Sequence, residues 1–323
     1  MGPGAVTALA AYHGPPELTP LRALTQWTAD PWALAFILVL GGLYLAGMRR
    51  ARSAAGWPAG RTISFGGVGL GLAVVTTMSA VGAYAHVLVY VRALQTVLLL
   101  LVIPLFLALG RPLSLAIAAA PRLGPRLDAV IRSRAAVAVT FPALTTLVLM
   151  VMPFLVYFSP WYAAGFHNTL IRELTFLALV TPGFVFFWTM LRVDPVPKSY
   201  PYLVSLWITG AEVVGDAFLG LAVVADNHLI GGAYYHALAR PWGPGLRTDQ
   251  VLGGGVLWIL GDMVGLPFLA AQLIQMIRED EKEATVIDAE LDAKDAAAAV
   301  GAAAAAPAGQ PAAQGGAAVG RGS

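Results

Sequence analysis

Residues 92–112 read RALQTVLLLLVIPLFLALGRP. Most of this run suits the interior of a bilayer, yet it opens on Arg92, Gln95 and Thr96, which share one helical face. A permanent cation, an amide and a hydroxyl need partners there, because hydrocarbon offers no water to satisfy them.

The rest of the chain places that helix among others of its kind. Of 323 residues, 58% are hydrophobic and 12% charged, with a mean hydropathy of +0.72; soluble domains carry roughly 25% charged residues. Seven segments are long and apolar enough to span a membrane, near 31–48, 63–84, 87–109, 136–158, 169–191, 202–224 and 251–276. The expected fold is therefore all-α, a polytopic helical bundle with about seven transmembrane helices.

Arginine sets the expected orientation. Arg49, Arg50, Arg52 and Arg61 lie in the first connecting loop, and Arg111, Arg122, Arg126, Arg132 and Arg134 in the third. Arg192 and Lys198 lie in the fifth, whereas the opposite loops hold just Arg240 and Arg247. The positive-inside rule then puts the N-terminus outside and the C-terminus in the cytoplasm, in a multi-pass plasma-membrane protein.

Four regions follow. Residues 1–30 read as an extracytoplasmic leader, without the basic start and cleavage pattern of a signal peptide. Residues 31–276 form the seven-helix domain, with residues 112–134 expected as a short interfacial helix beneath it. Residues 277–295 read as a charged cytoplasmic helix, and 296–323, rich in Ala, Gly and Pro, as a disordered tail.

Composition also excludes functions. No cysteine is present, so thiolate metal sites, iron–sulfur clusters and disulfides are out. A net charge of +2 and the absence of a basic block argue against a nucleic-acid partner; the bilayer is the surrounding partner. No phosphate-binding loop, nucleophile elbow, zinc-protease motif or paired-acid hydrolase motif is found, and the chain reads as no enzyme, with no catalytic residue to name.

Ionisable residues at membrane depth carry the functional question. They are Arg92 with Gln95 beside it, Arg172, Glu173, Glu212, Asp216 and Asp262. Glu212 and Asp216 are four apart and face the same way. Arg92 is expected to lie roughly 7 Å and Asp216 roughly 12 Å from the outer helix ends, at 1.5 Å per residue. Arg92 could thus answer carboxylates on neighbouring helices, with Asp216 the first partner to test. One reading is a structural ion-pair network; the other is a site handling protons or a metal.

All five histidines fall on the expected outer side, with no tight ligand spacing. His86 and His167, beside the arginine-bearing helices, are the weak metal candidates. In the last outer loop, Tyr234, Tyr235 and Trp242 suit the interface, Asp249 could cap the seventh helix, and Gly253, Gly254 and Gly255 could allow close helix approach.

Several motifs occur in order: IPLFLALGRPLSLAI (103–117), GFVFFWTMLRVDPVP (183–197), DAFLGLAVV (216–224), ARPWGPGLRTDQVLGGGVLWILGD (239–262) and IREDEKEA (277–284). Together, over about residues 35–285, they resemble the CtaG-type caa3 cytochrome c oxidase assembly factor family. Its most specific parts are Asp194-Pro195-x-Pro197 and Asp249-Gln250-x-x-Gly253-Gly254-Gly255-x-x-Trp258-x-x-Gly261. The resemblance implies a chaperone-like membrane protein that helps mature a haem–copper oxidase of the respiratory chain, with copper as a possible cofactor. Its partner would be an oxidase subunit or another assembly factor.

This chain departs from the family where the family carries histidines. Arg92, Gln95 and Thr96 replace one His-containing run, and Arg172, Glu173, Phe176 and Ala178 another. Asp216 replaces a further histidine, and Gly261-Asp262 the closing Gly-Glu. The expectation is an assembly or maintenance factor whose copper handling is doubtful. The alternative is a proton- or metal-coupled transporter using the intramembrane Arg/Asp/Glu cluster.

Overall fold

The computed structural model describes residues 12–305 except 56, 121, 123 and 199, and among these no strand occurs. The chain divides after Leu273 into two units. The first is the helical bundle; the second, from Ile274, begins inside the last helix.

Short α1 (Pro20–Thr25) precedes α2 (Pro31–Ala55), the first span. Asp30 caps α2, its Oδ1 accepting from Ala33 N at 3.1 Å. The expected leader packs on the bundle: Tyr84 donates to Pro16 O at 2.8 Å and Thr28 N to Met78 O at 2.7 Å.

The second span is assembled from α3 (Ala59–Thr62), a π-helical run over Ile63–Leu70, α4 (Gly71–Met78) and α5 (Ala80–Tyr84). It breaks at Ser79, which is extended and caps α5. The third span joins α6 (Val89–Val97), a second π-helical run Leu98–Val102 and α7 (Ile103–Leu109). These two spans form the buried centre: Leu99, Leu101 and Ile103 are almost fully covered.

Helices α8 (Pro112–Ala119), α9 (Gly124–Ile131) and α10 (Arg134–Val139) replace the single interfacial helix expected over 112–134. Ala120 leaves helical geometry at the end of α8, ahead of Pro121. The fourth span starts later than expected, at α11 (Pro142–Tyr157), and bends by 64° into α12 (Trp161–His167). Then come α13 (Thr169–Leu191), α14 (Tyr202–Ala225), α15 (Gly232–Leu238) and α16 (Leu246–Ala305). Among the described residues, six helices are long and apolar enough to span, or seven when α11 and α12 are taken together.

Glycine sets two of the contacts in this bundle. A Cβ on Gly220 would lie 2.5 Å from Gly254 O, and one on Gly254 would lie 2.6 Å from Gly220 O, so α14 and α16 touch backbone to backbone. Gly253 faces Val89 in the same way, whereas Gly255, expected to take part, faces open space.

The second unit is the charged, exposed end of α16, where Lys282 pairs with Glu279 at 2.9 Å. The helix runs on to Ala305, beyond the boundary expected at 295, because a run of alanines has the highest helix propensity. Residues 306–323 of the expected tail, and 1–11 of the leader, lie outside the described residues.

Candidate functional site

The intramembrane polar residues do not form one cluster. They separate into three centres: Arg92 takes other partners than the expected Asp216, and Asp216 lies with Glu212 and Asp262.

Arg92 lies in the first turn of α6 and is 3% exposed. Its Nη1 donates to Gln95 Oε1 at 3.1 Å, and Gln95 Nε2 donates to Thr76 O at 3.0 Å. Thr96 donates to Arg92 O, and its hydroxyl lies 3.2 Å from that of Tyr157. The guanidinium carbon sits 5.6 Å from the Phe166 ring and 5.9 Å from the Tyr162 ring. Aromatic faces thus stand where carboxylates were expected. The bend between α11 and α12 supplies them, by turning Tyr162 and Phe166 back across the start of α6. Tyr162 and Tyr235 hydroxyls meet at 2.9 Å, and Phe166 stacks on Tyr234. Tyr235 is therefore a core residue at 3% exposure, and burial raises its phenol well above the ordinary value.

Arg172 holds the second centre. It reaches Asp30 Oδ2 at 3.0 Å and Glu173 Oε1 at 2.9 Å, tying the start of α13 to the start of α2.

Glu212, Asp216 and Asp262 form the third, between α14 and α16. Asp216 lies nine residues from the end of α14, about 14 Å along the axis, whereas Arg92 is about 4 Å into α6. That offset keeps them apart. Gly261 makes room for Asp216: a Cβ there would collide with its carboxylate, and one on Gly265 would lie 3.3 Å from Glu212. Asp216 Oδ2 and Asp262 Oδ1 are buried without a hydrogen-bond partner. Nearer the other end of α14, Thr209 donates to Gln272 at 3.1 Å and Arg192 to Ser205 at 2.7 Å.

The motif residues hold loops and helix starts. Asp194, 4% exposed, accepts from Leu113 N at 2.8 Å, Ser114 N at 2.7 Å and the Ser114 hydroxyl. It closes the start of α8. Pro195 O accepts from Trp188, and Pro197 is half-buried in the same loop. Asp249 does not cap its own helix as expected. It lies inside α16, accepts from Tyr90 N at 3.0 Å at the start of α6, and pairs with Arg240 at 3.2 Å. Gln250 ties the loop after α14: its amide donates to Val223 O, Asp226 O and His228 O, and its oxygen accepts from Ile230 N. Trp258 packs its Cβ over Gly220.

Asp30, Arg240, Tyr157, Tyr162 and Phe166 are the functional neighbours that sequence reasoning missed. Asp30-Pro31 ahead of an apolar run is a helix-start signal, and Tyr162 and Phe166 are one helical turn apart.

His86 and His167 each lie against an aromatic ring, Phe166 and Tyr234 respectively. Burial, with Arg92 and Arg172 nearby, pushes the His86 imidazole down to about 4 from 6.5. It is neutral in the folded protein at pH 7. Between pH 6.5 and 4 the unfolded chain takes up a proton that the folded protein refuses, so stability falls as pH falls through that window. Melting temperatures of His86→Gln and wild type should converge towards pH 4, with the variant the flatter curve. Parallel curves would contradict this assignment.

Arg92 and Arg172 offer no ligand to the copper implied by the resemblance, because a guanidinium stays protonated. Among the described residues no group of three His, Asp or Glu side chains is arranged so that it could hold a metal ion.

Comparison with known proteins places the chain in a family. Proteins of Mycobacterium bovis and Mycobacterium tuberculosis, both named as uncharacterized, are each 28% identical over 294 residues, covering 87% of this chain and 44% of the relative. A Mycobacterium leprae protein named in the same way is 28% identical over 295 residues, covering 86% and 43%. The chain spans less than half the length of the curated relatives it matches. No solved structure matches it. Residues 42–279, well over half of the chain, match the family described as cytochrome c oxidase caa3 assembly factor (Caa3_CtaG), and the chain belongs to that family.

Proposed function

We propose that this protein is an assembly or maintenance factor for a haem–copper cytochrome c oxidase, working in the plasma membrane as a non-catalytic binding protein without an enclosed copper site. Family membership over residues 42–279 carries the reading. The donor arrangement supports its metal-independent form, since Arg92 is held by Gln95 and aromatic rings where a ligand would be needed. The partner is an oxidase subunit or another assembly factor, met through the bundle's surface. The arginine-rich loops favour an external N-terminus and a cytoplasmic C-terminus.

Deleting the gene and recording haem–copper oxidase spectra, with and without added copper, tests this. The expected result is a several-fold loss of assembled oxidase that added copper does not restore. An unchanged oxidase would remove the assembly role, and restoration by copper would return a metal role to the protein.

A second reading, a proton- or metal-coupled transporter, has one observation in its favour. One buried carboxylate oxygen of Asp216 on α14 and one of Asp262 on α16 have no hydrogen-bond partner. Ion uptake by reconstituted protein, abolished in Asp216→Asn, would support it.

A further inference from the structure

Between α2 and α13 lies an elongated groove of about 670 Å³. Its sides are formed by Trp32, Phe36 and Leu40 of α2 and by Leu170, Phe176 and Leu177 of α13. The two buried spans close its back, through residues such as Ala73 and Ile103. Trp32 and Leu170 are each about two-thirds exposed, at 65% and more, so the groove opens sideways towards surrounding lipid.

Its length and lining decide what fits. Along α13 the lining runs from Thr169 to Val180, roughly 16 Å at 1.5 Å per residue. A flexible hydrocarbon chain can lie along that length, because the lining is apolar except at one end.

Polarity is confined to one end. Thr77 lines the groove there, but its hydroxyl is spent on Ala73 O at 2.8 Å. What remains is Thr169 and the carboxylate of Glu173, beside the ion pair that joins Arg172 to Asp30. Asp30 and Glu173 against Arg172 leave one formal negative charge at this mouth. The groove therefore offers an apolar slot with an anionic rim, the complement of a hydrocarbon chain under a cationic head. A phospholipid head without an ammonium would bring its phosphate to the two carboxylates with no cation of its own to offset them.

We propose that the groove between α2 and α13 is a binding site for one membrane phospholipid with an ammonium head group, its acyl chain in the slot and its ammonium at Glu173. The Arg172–Asp30 pair bridges the two helices above the chain and closes that end of the slot. This site takes its polar end from the second polar centre and stands independently of the oxidase-assembly reading.

The full-length protein, extracted from vesicles of equal phosphatidylethanolamine and phosphatidylglycerol, can be washed in detergent and weighed by native mass spectrometry. One phosphatidylethanolamine is expected to survive washing that strips other lipid. Ala35→Trp, on the exposed side of the slot, and Ala73→Phe, at its back, should each cut that retention at least tenfold. Glu173→Gln should keep a bound phospholipid but lose the preference for phosphatidylethanolamine. Ala35 is exposed, so its replacement tests the site even where Ala73→Phe does not fold. Retention unchanged by Ala35→Trp, or a bound population that is mainly phosphatidylglycerol, would overturn the proposal. So would a photoactivatable acyl chain that labels α14 as strongly as Phe176 and Leu177.

Discussion

Asp249→Ala is expected to cost about 3–5 kcal/mol of folding stability, the range for removing one partner of a buried ion pair. Asp249 is fully covered and Arg240 is 3% exposed at its side chain, so the loss strands a guanidinium that water cannot reach. Arg240 would keep its hydrogen bonds to Trp242 O and Pro244 O and its position 5.1 Å from the Trp242 ring, but no anion. The same change takes the acceptor from Tyr90 N at the start of α6. Asp249→Asn, which keeps an acceptor for that N–H, should cost less. The double variant Arg240→Met/Asp249→Leu should recover a large part of the loss, because the pair's attraction is offset by the cost of desolvating both ions. Reversible unfolding in mixed detergent measures all three. An Asp249→Ala protein within about 1 kcal/mol of wild type would show that water reaches Arg240 after all.

Asp194→Ala should cost about 2–3 kcal/mol by a related route, the loss of a charged cap together with buried donors left unsatisfied. The carboxylate accepts from two backbone N–H groups and a hydroxyl at the start of α8, about 80 residues away in sequence. It also places negative charge at the positive end of that helix. The residue before α8, Arg111, has φ +53° and offers no side-chain cap, so Asp194 fills that role. Local consequences should exceed the global one. Leu115 of α8 packs against Gly47 of α2, and Tyr44 of α2 donates to Gly110 O at 2.8 Å. Amide hydrogen exchange over 112–119 should therefore rise at least tenfold in Asp194→Ala before the bundle melts. Unchanged protection there would separate Asp194 from α8.

These two aspartates show what could be read from the chain alone. Both lie in the motifs that carry the family resemblance, and both looked like local punctuation: Asp194 in a loop, Asp249 at a helix start. Each instead serves a helix that is distant in sequence. Hydropathy marks a span because burying 20 apolar residues is a property of the segment itself. The partner of a buried acid is a property of which helix ends come together, and no local pattern encodes it. The same limit explains Arg92. Its place near the start of an apolar helix was legible, but its aromatic partners arrive through the bend between α11 and α12, around Ser159 and Pro160. Glu212 and Asp216 were placed on one face by spacing alone, and the structure puts Asp262 opposite them through Gly261.

The two π-helical runs have a consequence for how this chain tolerates change in length. A π turn closes its hydrogen bond over one more residue than an α turn, so it stores an extra residue without rotating the helix beyond it. Leu98–Val102 does this directly below Arg92 and above Pro104. Loss of one leucine from that run would let the turn relax to α-helix, leaving Arg92 under its aromatic rings and Leu107 against Gly69. The centre of the bundle carries its own slack, at a point where a deletion in a straight helix would turn every residue beyond it to a new face.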